Sequence, residues 1–219
     1  MASQIHYGGM FTRKIVRVHF DLALKWLVRF HKLSEYRRQE LKRDLFTDSF
    51  YAFLEAVCVK NRESITKGIE KMLKEIEGLT IPVSDRHGDF NPKNIILSQR
   101  RLSVVDWEFY VHGSPVYYDV FSFLFTYSFD LWKAKKNYGV FDSIYCSFFY
   151  KSWYNRLIET FINSYCKEMQ VEQRVIRILF YFFWIQATLG KNSIYIEYEL
   201  RKNWEGLEEL LLTGAPLFL

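Results

Sequence analysis

His87-Gly88-Asp89-Phe90-Asn91-Pro92-Lys93-Asn94 sets an acceptor-only carboxylate five residues ahead of an amide, and Asp106-Trp107-Glu108 brings a second carboxylate twelve residues after Asn94. Two short apolar runs, Asn94 to Ser98 and Leu102 to Trp107, are separated only by Gln99, Arg100 and Arg101. Both are rich in Ile, Val and Leu, so the spacing predicts a small hairpin. Asp89 then lies in the loop entering the first strand, Asn94 opens that strand, and Asp106 sits where the second ends. A hairpin folds these points back on one another, so two carboxylates and an amide oxygen converge. Magnesium takes hard oxygen ligands in near-octahedral array, usually one or two from protein and the rest from phosphate and water. The convergent set suits a magnesium–phosphate site.

In kinase-type phosphoryl transfer an Asp accepts the proton of the attacking hydroxyl, while an Asn and a second Asp hold the metal ions. The Asp-to-Asn step of five matches the H-R-D-L-x-x-x-N loop of protein kinases, and Asp106 takes the D-F-G position. Gly88 stands where protein kinases have Arg, and Asp106-Trp107-Glu108 replaces D-F-G. With these departures the stretch resembles the aminoglycoside phosphotransferase and choline kinase-like family, whose members carry HGDxxxxN followed by a DW or DWE element. An HxD tripeptide alone would read as turn residues. Both elements at this spacing favour the kinase-like reading by roughly ten to one.

The resemblance implies Asp89 as catalytic base, Asn94 and Asp106 as ligands of Mg2+, and ATP as phosphoryl donor. It implies that His87 braces the loop, that Glu108 contacts a second metal or positions the loop, and that Asp119 anchors the loop to the following helix. Strand alternation puts Asn94 and Ile96 on one face, so Ile96 and Val105 are the expected apolar floor for the nucleotide. The implied fold is α+β and mostly α, the C-terminal lobe of a protein kinase-like fold with a small β-hairpin carrying the catalytic loop and DW element.

Stepping outward along the chain, residues 1–13 read as an irregular lead punctuated by Gly8-Gly9, and residues 14–219 as the kinase-like lobe. Lys14 to Leu33 repeats apolar residues at helical spacing. Ser34 to Thr47 is strongly charged and reads as exposed helix or loop, and Ser49 to Val59 as a short aromatic helix. Glu63 to Glu77 carries Ile65, Ile69, Met72, Leu73 and Ile76 as one stripe, stopped by Gly78. Ile81 to Asp85 is extended, and Phe109 to Pro115 reads as loop. Helices are expected over Val116 to Trp132, Ser143 to Tyr165, Val171 to Leu189 and Ile194 to Leu212, with a turn over Asn137 to Asp142.

The 219 residues are 49% hydrophobic and 19% aromatic, which excludes disorder and is enough for one good core. The net charge of +5 equals the excess of residues 1–50, where ten Lys or Arg face five Asp or Glu. A solvated helix face explains that excess better than a phosphate-seeking patch, by roughly three to one. Cys58, Cys146 and Cys166 show no metal or disulfide spacing, so buried thiols in a cytoplasmic protein are expected. His19 and His31, twelve residues apart, read as partly buried histidines rather than ligands. Neither a nucleic-acid partner nor a membrane association is expected.

No Gly-rich phosphate cover or strand-borne Lys precedes His87, so the strand-rich N-terminal lobe of such kinases is expected to be absent. Two readings stay open. One is a phosphotransferase acting on a hydroxylated small molecule, completed by a separately encoded lobe or a homodimer partner. The other is a non-catalytic kinase-like binding or scaffold module, or a truncated gene product. The acceptor is not legible; aromatics after Val116 read as core packing before they read as a cation pocket.

Overall fold

The computed structural model describes residues 3–4, 12–34, 37–56, 62–98 and 101–189. The Gly8-Gly9 pair, Cys58, the tip of the expected hairpin at 99–100 and the expected helix over Ile194 to Leu212 lie outside them.

In chain order the elements are β1 (Ser3–Gln4), α1 (Arg13–Leu33), β2 (Arg37–Glu40), α2 (Asp44–Ala56), α3 (Arg62–Ile76) and β3 (Thr80–Arg86). After them come β4 (Ile95–Ser98), β5 (Arg101–Val104), β6 (Val111–Pro115), α4 (Tyr118–Lys136), α5 (Val140–Phe148), α6 (Trp153–Met169) and α7 (Gln173–Leu189). A mostly helical α+β architecture results. Two three-stranded antiparallel sheets, ordered β1-β4-β5 and β2-β3-β6, flank the His87–Asn94 segment.

α1 begins at Thr12, whose hydroxyl accepts the Ile15 N–H at 3.3 Å, satisfying one of the orphan donors of a helix start. It buries Val16, Phe20, Ala23, Leu27 and His31, one stripe at helical spacing. Phe20 meets Tyr154 and Phe161 of α6, while His31 meets Tyr165 further along, so α1 and α6 run parallel. Phe20 also meets Phe123 and Tyr127 of α4, and His31 faces Asp119 at that helix's start, so α4 runs antiparallel to α1. Edge-to-face rings at 5.2–5.7 Å around Phe20 make this the aromatic centre of the core. A second cluster, Phe125, Phe148, Phe180 and Trp184, joins α4, α5 and α7.

Four expectations are corrected. Arg37–Glu40, read as exposed helix or loop, is a strand pairing with β3. It is a charged edge strand, where backbone pairing rather than side-chain propensity decides and the charges block further pairing. The Phe109 to Pro115 loop contains β6, which pairs with the other side of β3; Gly113 and Pro115 disguised it. Ser143 to Tyr165 is two helices, because Ser152 caps a new one by accepting the Asn155 N–H at 3.0 Å. His31, expected to be partly buried, is wholly buried. Among the described residues no helix is long and apolar enough to cross a membrane.

Candidate active site

β3 delivers the chain to His87, where two backbone donors are captured at once. Asp119, in the first turn of α4 and buried, accepts the His87 N–H at 2.7 Å and the Gly88 N–H at 2.9 Å. Behind it, Tyr165 donates its hydroxyl proton to the Val116 carbonyl at 2.9 Å. The 2.7 Å bond between Tyr165 and His31 Nδ1 therefore runs from the imidazole N–H to the phenol oxygen. His31 Nε2 stands 3.8 Å from Asp119 Oδ2, close in charge terms but too long for a hydrogen bond.

Gly88 has φ +84°, a region open to glycine and costly for other residues. A Cβ there would overlap the Phe109 carbonyl oxygen and lie 2.8 Å from the Phe109 Cβ. The missing side chain is what lets the segment after Asp106 close over the loop. His87, wholly buried, ties the same two pieces together. Its Nδ1 accepts the Asp89 N–H at 3.3 Å, so its Nε2–H donates to the Val105 carbonyl at 3.0 Å. The Trp107 ring packs on it at 4.6 Å.

Asp89 is held by two amides. Asn91 Nδ2 donates to Oδ1 at 2.7 Å and Asn94 Nδ2 to Oδ2 at 2.8 Å, leaving each carboxylate oxygen further acceptor capacity. Asn91 also accepts the N–H groups of Lys93 and Asn94, capping a single 3-10 turn, Pro92–Asn94. Asn94 thus closes a turn rather than opening β4, which begins at Ile95. Both Asn94 side-chain N–H groups go to Asp89, one to its backbone carbonyl at 3.0 Å, so the oxygen is what Asn94 can offer a cation.

The predicted hairpin forms, with Ile95 opposite Val104 and Ile96 opposite Ser103. Ile95 is wholly buried, and Leu97, Leu102 and Val104 pack against the same core. Alternation leaves Ile96 on the other face, and Val105 follows β5 at 37% exposure. The Val105 N–H donates to the Asn94 carbonyl at 3.0 Å, which brings the chain at Asp106 back beside the His87–Asn94 loop. Asp106 is exposed and has φ +64°, a left-handed conformation that Asp tolerates better than most residues and that turns the chain sharply out of β5. Glu108 is exposed in the following turn.

The structure therefore gathers His87, Asp89, Asn94, Val105 and Asp119 into one bonded network, with Asp106 next in chain and Ile96 on the hairpin. Asn91 was missed by sequence reading, although an amide two residues after a carboxylate and just before proline is the signature of such a capped turn. Also missed was an aromatic stack at the loop's back, Trp26 on Phe90 at 5.0 Å with Phe30 against Trp107 at 5.5 Å. A groove of about 470 Å³ lies nearby, lined by Trp26, Arg29, Phe30, Leu33, Asp85 and Leu102 among others, and by none of Asp89, Asn94 and Asp106.

Among the described residues no three His, Cys, Asp or Glu side chains are arranged to hold a metal. The donor set of one carboxylate and one amide oxygen fits a cation that takes most of its ligands from phosphate and water, as magnesium does.

The fold is similar to that of a glucosamine kinase solved with glucosamine, ADP and inorganic phosphate (TM-score 0.59, 14% identity), over 90% of this chain and 54% of that one. It is also similar to the choline kinase LicA from Streptococcus pneumoniae (TM-score 0.51, 18% identity), over 95% of this chain and 67% of that one. The chain thus spans about half the length of the glucosamine kinase. No curated protein matches the sequence. Residues 14–168, which hold the His87–Asn94 loop, the hairpin, the Asp106-Trp107-Glu108 element and Asp119, match the phosphotransferase enzyme family (APH), and the chain belongs to that family.

Proposed function

We propose that this chain is the catalytic-loop lobe of an ATP- and magnesium-dependent phosphotransferase acting on a hydroxyl of a small molecule. One observation carries the reading: Asp89 is clamped by Asn91 and Asn94 with acceptor capacity to spare, in a loop that Asp119 and His87 tie to the Asp106 segment. Asp89 takes the proton of the attacking hydroxyl as its oxygen bonds to the γ-phosphorus and the bond to the bridging oxygen of ADP breaks. Asn94 and Asp106 would hold Mg2+, which when bound supplies charge neutralisation among the nucleotide phosphates. Ile96 and Val105 are the proposed floor of the nucleotide, Glu108 a positioning group beside it, and His87 and Asp119 the supports.

Phosphoryl transfer depends on positioning and charge stabilisation, so a cover over the phosphates is required. The exposed apolar side chains at Val105, Trp107, Phe109, Tyr110 and Val111 support a partner lobe docking there. The same observations favour the second reading, a non-catalytic module that uses this surface for binding. Cys146 and Cys166 are free thiols, which supports a cytoplasmic setting.

Calorimetry with Mg-ATP separates the two readings. The catalytic reading expects binding in about the millimolar range, lost in Asp106→Ala, with negligible turnover by the chain alone. No heat from the unaltered chain, or heat unchanged in Asp106→Ala, overturns it.

A further inference from the structure

At the end of the helical layer far from Asp119, α1 and α6 begin and α4 ends around one indole. Arg13 Cζ lies 5.4 Å from the centroid of the Trp153 ring and Lys135 Nζ lies 5.2 Å from it. Two cations from different helices thus share one aromatic face region. The Lys135 ammonium is pushed below its ordinary value, first by partial burial and then by the Arg13 charge. Arg17, Lys136, Lys151 and Arg156 occupy the same three helix ends and are exposed.

Elsewhere on the surface, Lys25, Lys32 and Lys67 each hold a carboxylate at 2.6–2.7 Å. Among the described residues none of the six cations at this pole is in an ion pair. No ion pair among the described residues relieves their mutual repulsion. Ile15 and Val18, 46% and 48% exposed, lie in the first two turns of α1, at the same end of the helical layer. A free phosphate or a nucleic acid would neutralise the cations and gain nothing from two branched aliphatic side chains. A lipid headgroup layer uses both, and Trp153 is the amphipathic aromatic that such a layer favours.

We propose that this pole docks on an anionic lipid bilayer, Arg13, Lys135 and their neighbours meeting the headgroups while Ile15 and Val18 enter the boundary of the acyl region. It departs from the readings of the basic excess as only a solvated face and of the chain as having no membrane association. α1 spans about 30 Å, so docking through its first turns leaves the catalytic loop, near its last turn, facing away from the surface.

The test is co-sedimentation of the full chain with phosphatidylcholine vesicles with and without phosphatidylserine, at low and at high salt. Binding is expected only with phosphatidylserine and is expected to fall with salt. Each surface cation contributes about fivefold, so Arg13→Gln with Lys135→Gln lowers the partition by about 25-fold. The same charge change at Lys71→Gln with Lys74→Gln on α3 should leave binding intact, and circular dichroism checks that each variant is folded. Ile15→Ser should weaken binding at low salt without altering charge. Equal partition onto neutral vesicles, equal loss in both charge pairs, or binding to duplex nucleic acid with none to vesicles overturns the proposal.

Discussion

Asp119→Asn isolates how much the His87–Asn94 loop depends on one buried carboxylate. In the folded chain its two oxygens take the N–H groups of His87 and Gly88 at 2.7 and 2.9 Å. Hydrogen bonds to a charged acceptor contribute about 1.5–3 kcal/mol each, and a buried donor left unpaired costs about 1–3 kcal/mol. Asparagine keeps one acceptor and turns its NH2 toward the other N–H, so one bond is lost and replaced by two opposed donors. The expected loss is about 3 kcal/mol, within the range for breaking a buried network. With a urea slope of about 2.5 kcal/mol/M, the unfolding midpoint should fall by about 1.2 M. Urea titration followed by tryptophan fluorescence reads this directly, since Trp26 and Trp107 pack against the loop. A midpoint shift below about 0.2 M, with an unchanged slope, would refute the view that Asp119 anchors the loop. Tyr165→Phe removes the hydroxyl that links His31 to Val116. Its combination with Asp119→Asn should be less than additive, because the two share His31 as a neighbour.

Gly88→Ala should destabilise by about 2–4 kcal/mol, since the new Cβ meets the Phe109 backbone at an unfavourable φ; urea titration checks it, and nucleotide affinity should fall with it. Asn91→Ala removes the cap of the 3-10 turn and one of the two bonds that orient Asp89, so it should cost about 1–2 kcal/mol in urea titration. Burial lowers the His19 imidazole below its ordinary value of 6.5. The unfolded chain then takes up the proton first, so this contribution is full above 6.5 and is lost as pH falls through the lowered folded value. The urea midpoint should therefore fall on acidification to about pH 5, by less in His19→Gln. Phe20→Ala, at the centre of four edge-to-face rings, should cost about 3–5 kcal/mol in the same measurement.

The outline of the candidate site was legible because its parts are close in sequence. His87 to Asn94 and Asp106 flank two paired strands whose register follows from alternation, so bringing the two segments near one another needed no long-range information. α1 and α3 were legible for the same reason, each carrying its own periodic stripe. Arg37–Glu40 and Val111–Pro115 were not, because each is a strand only by virtue of β3 lying between them, more than twenty residues from either partner at its nearest pairing to β6 and forty from β2.

By itself the sequence determined the identity and order of the candidate site's groups: a carboxylate, an amide five residues on and a second carboxylate after a hairpin can face one another whatever surrounds them. Tertiary structure alone decided how they are held. The glycine at 88 is required because Phe109 comes down on it, the carboxylate of Asp119 meets two N–H groups over thirty residues away, and Arg13 meets Lys135 across an indole from a third helix. Hydrogen bonds and like-charge encounters act over a few ångströms of space, and only packing the helices fixes which distant residues come that close.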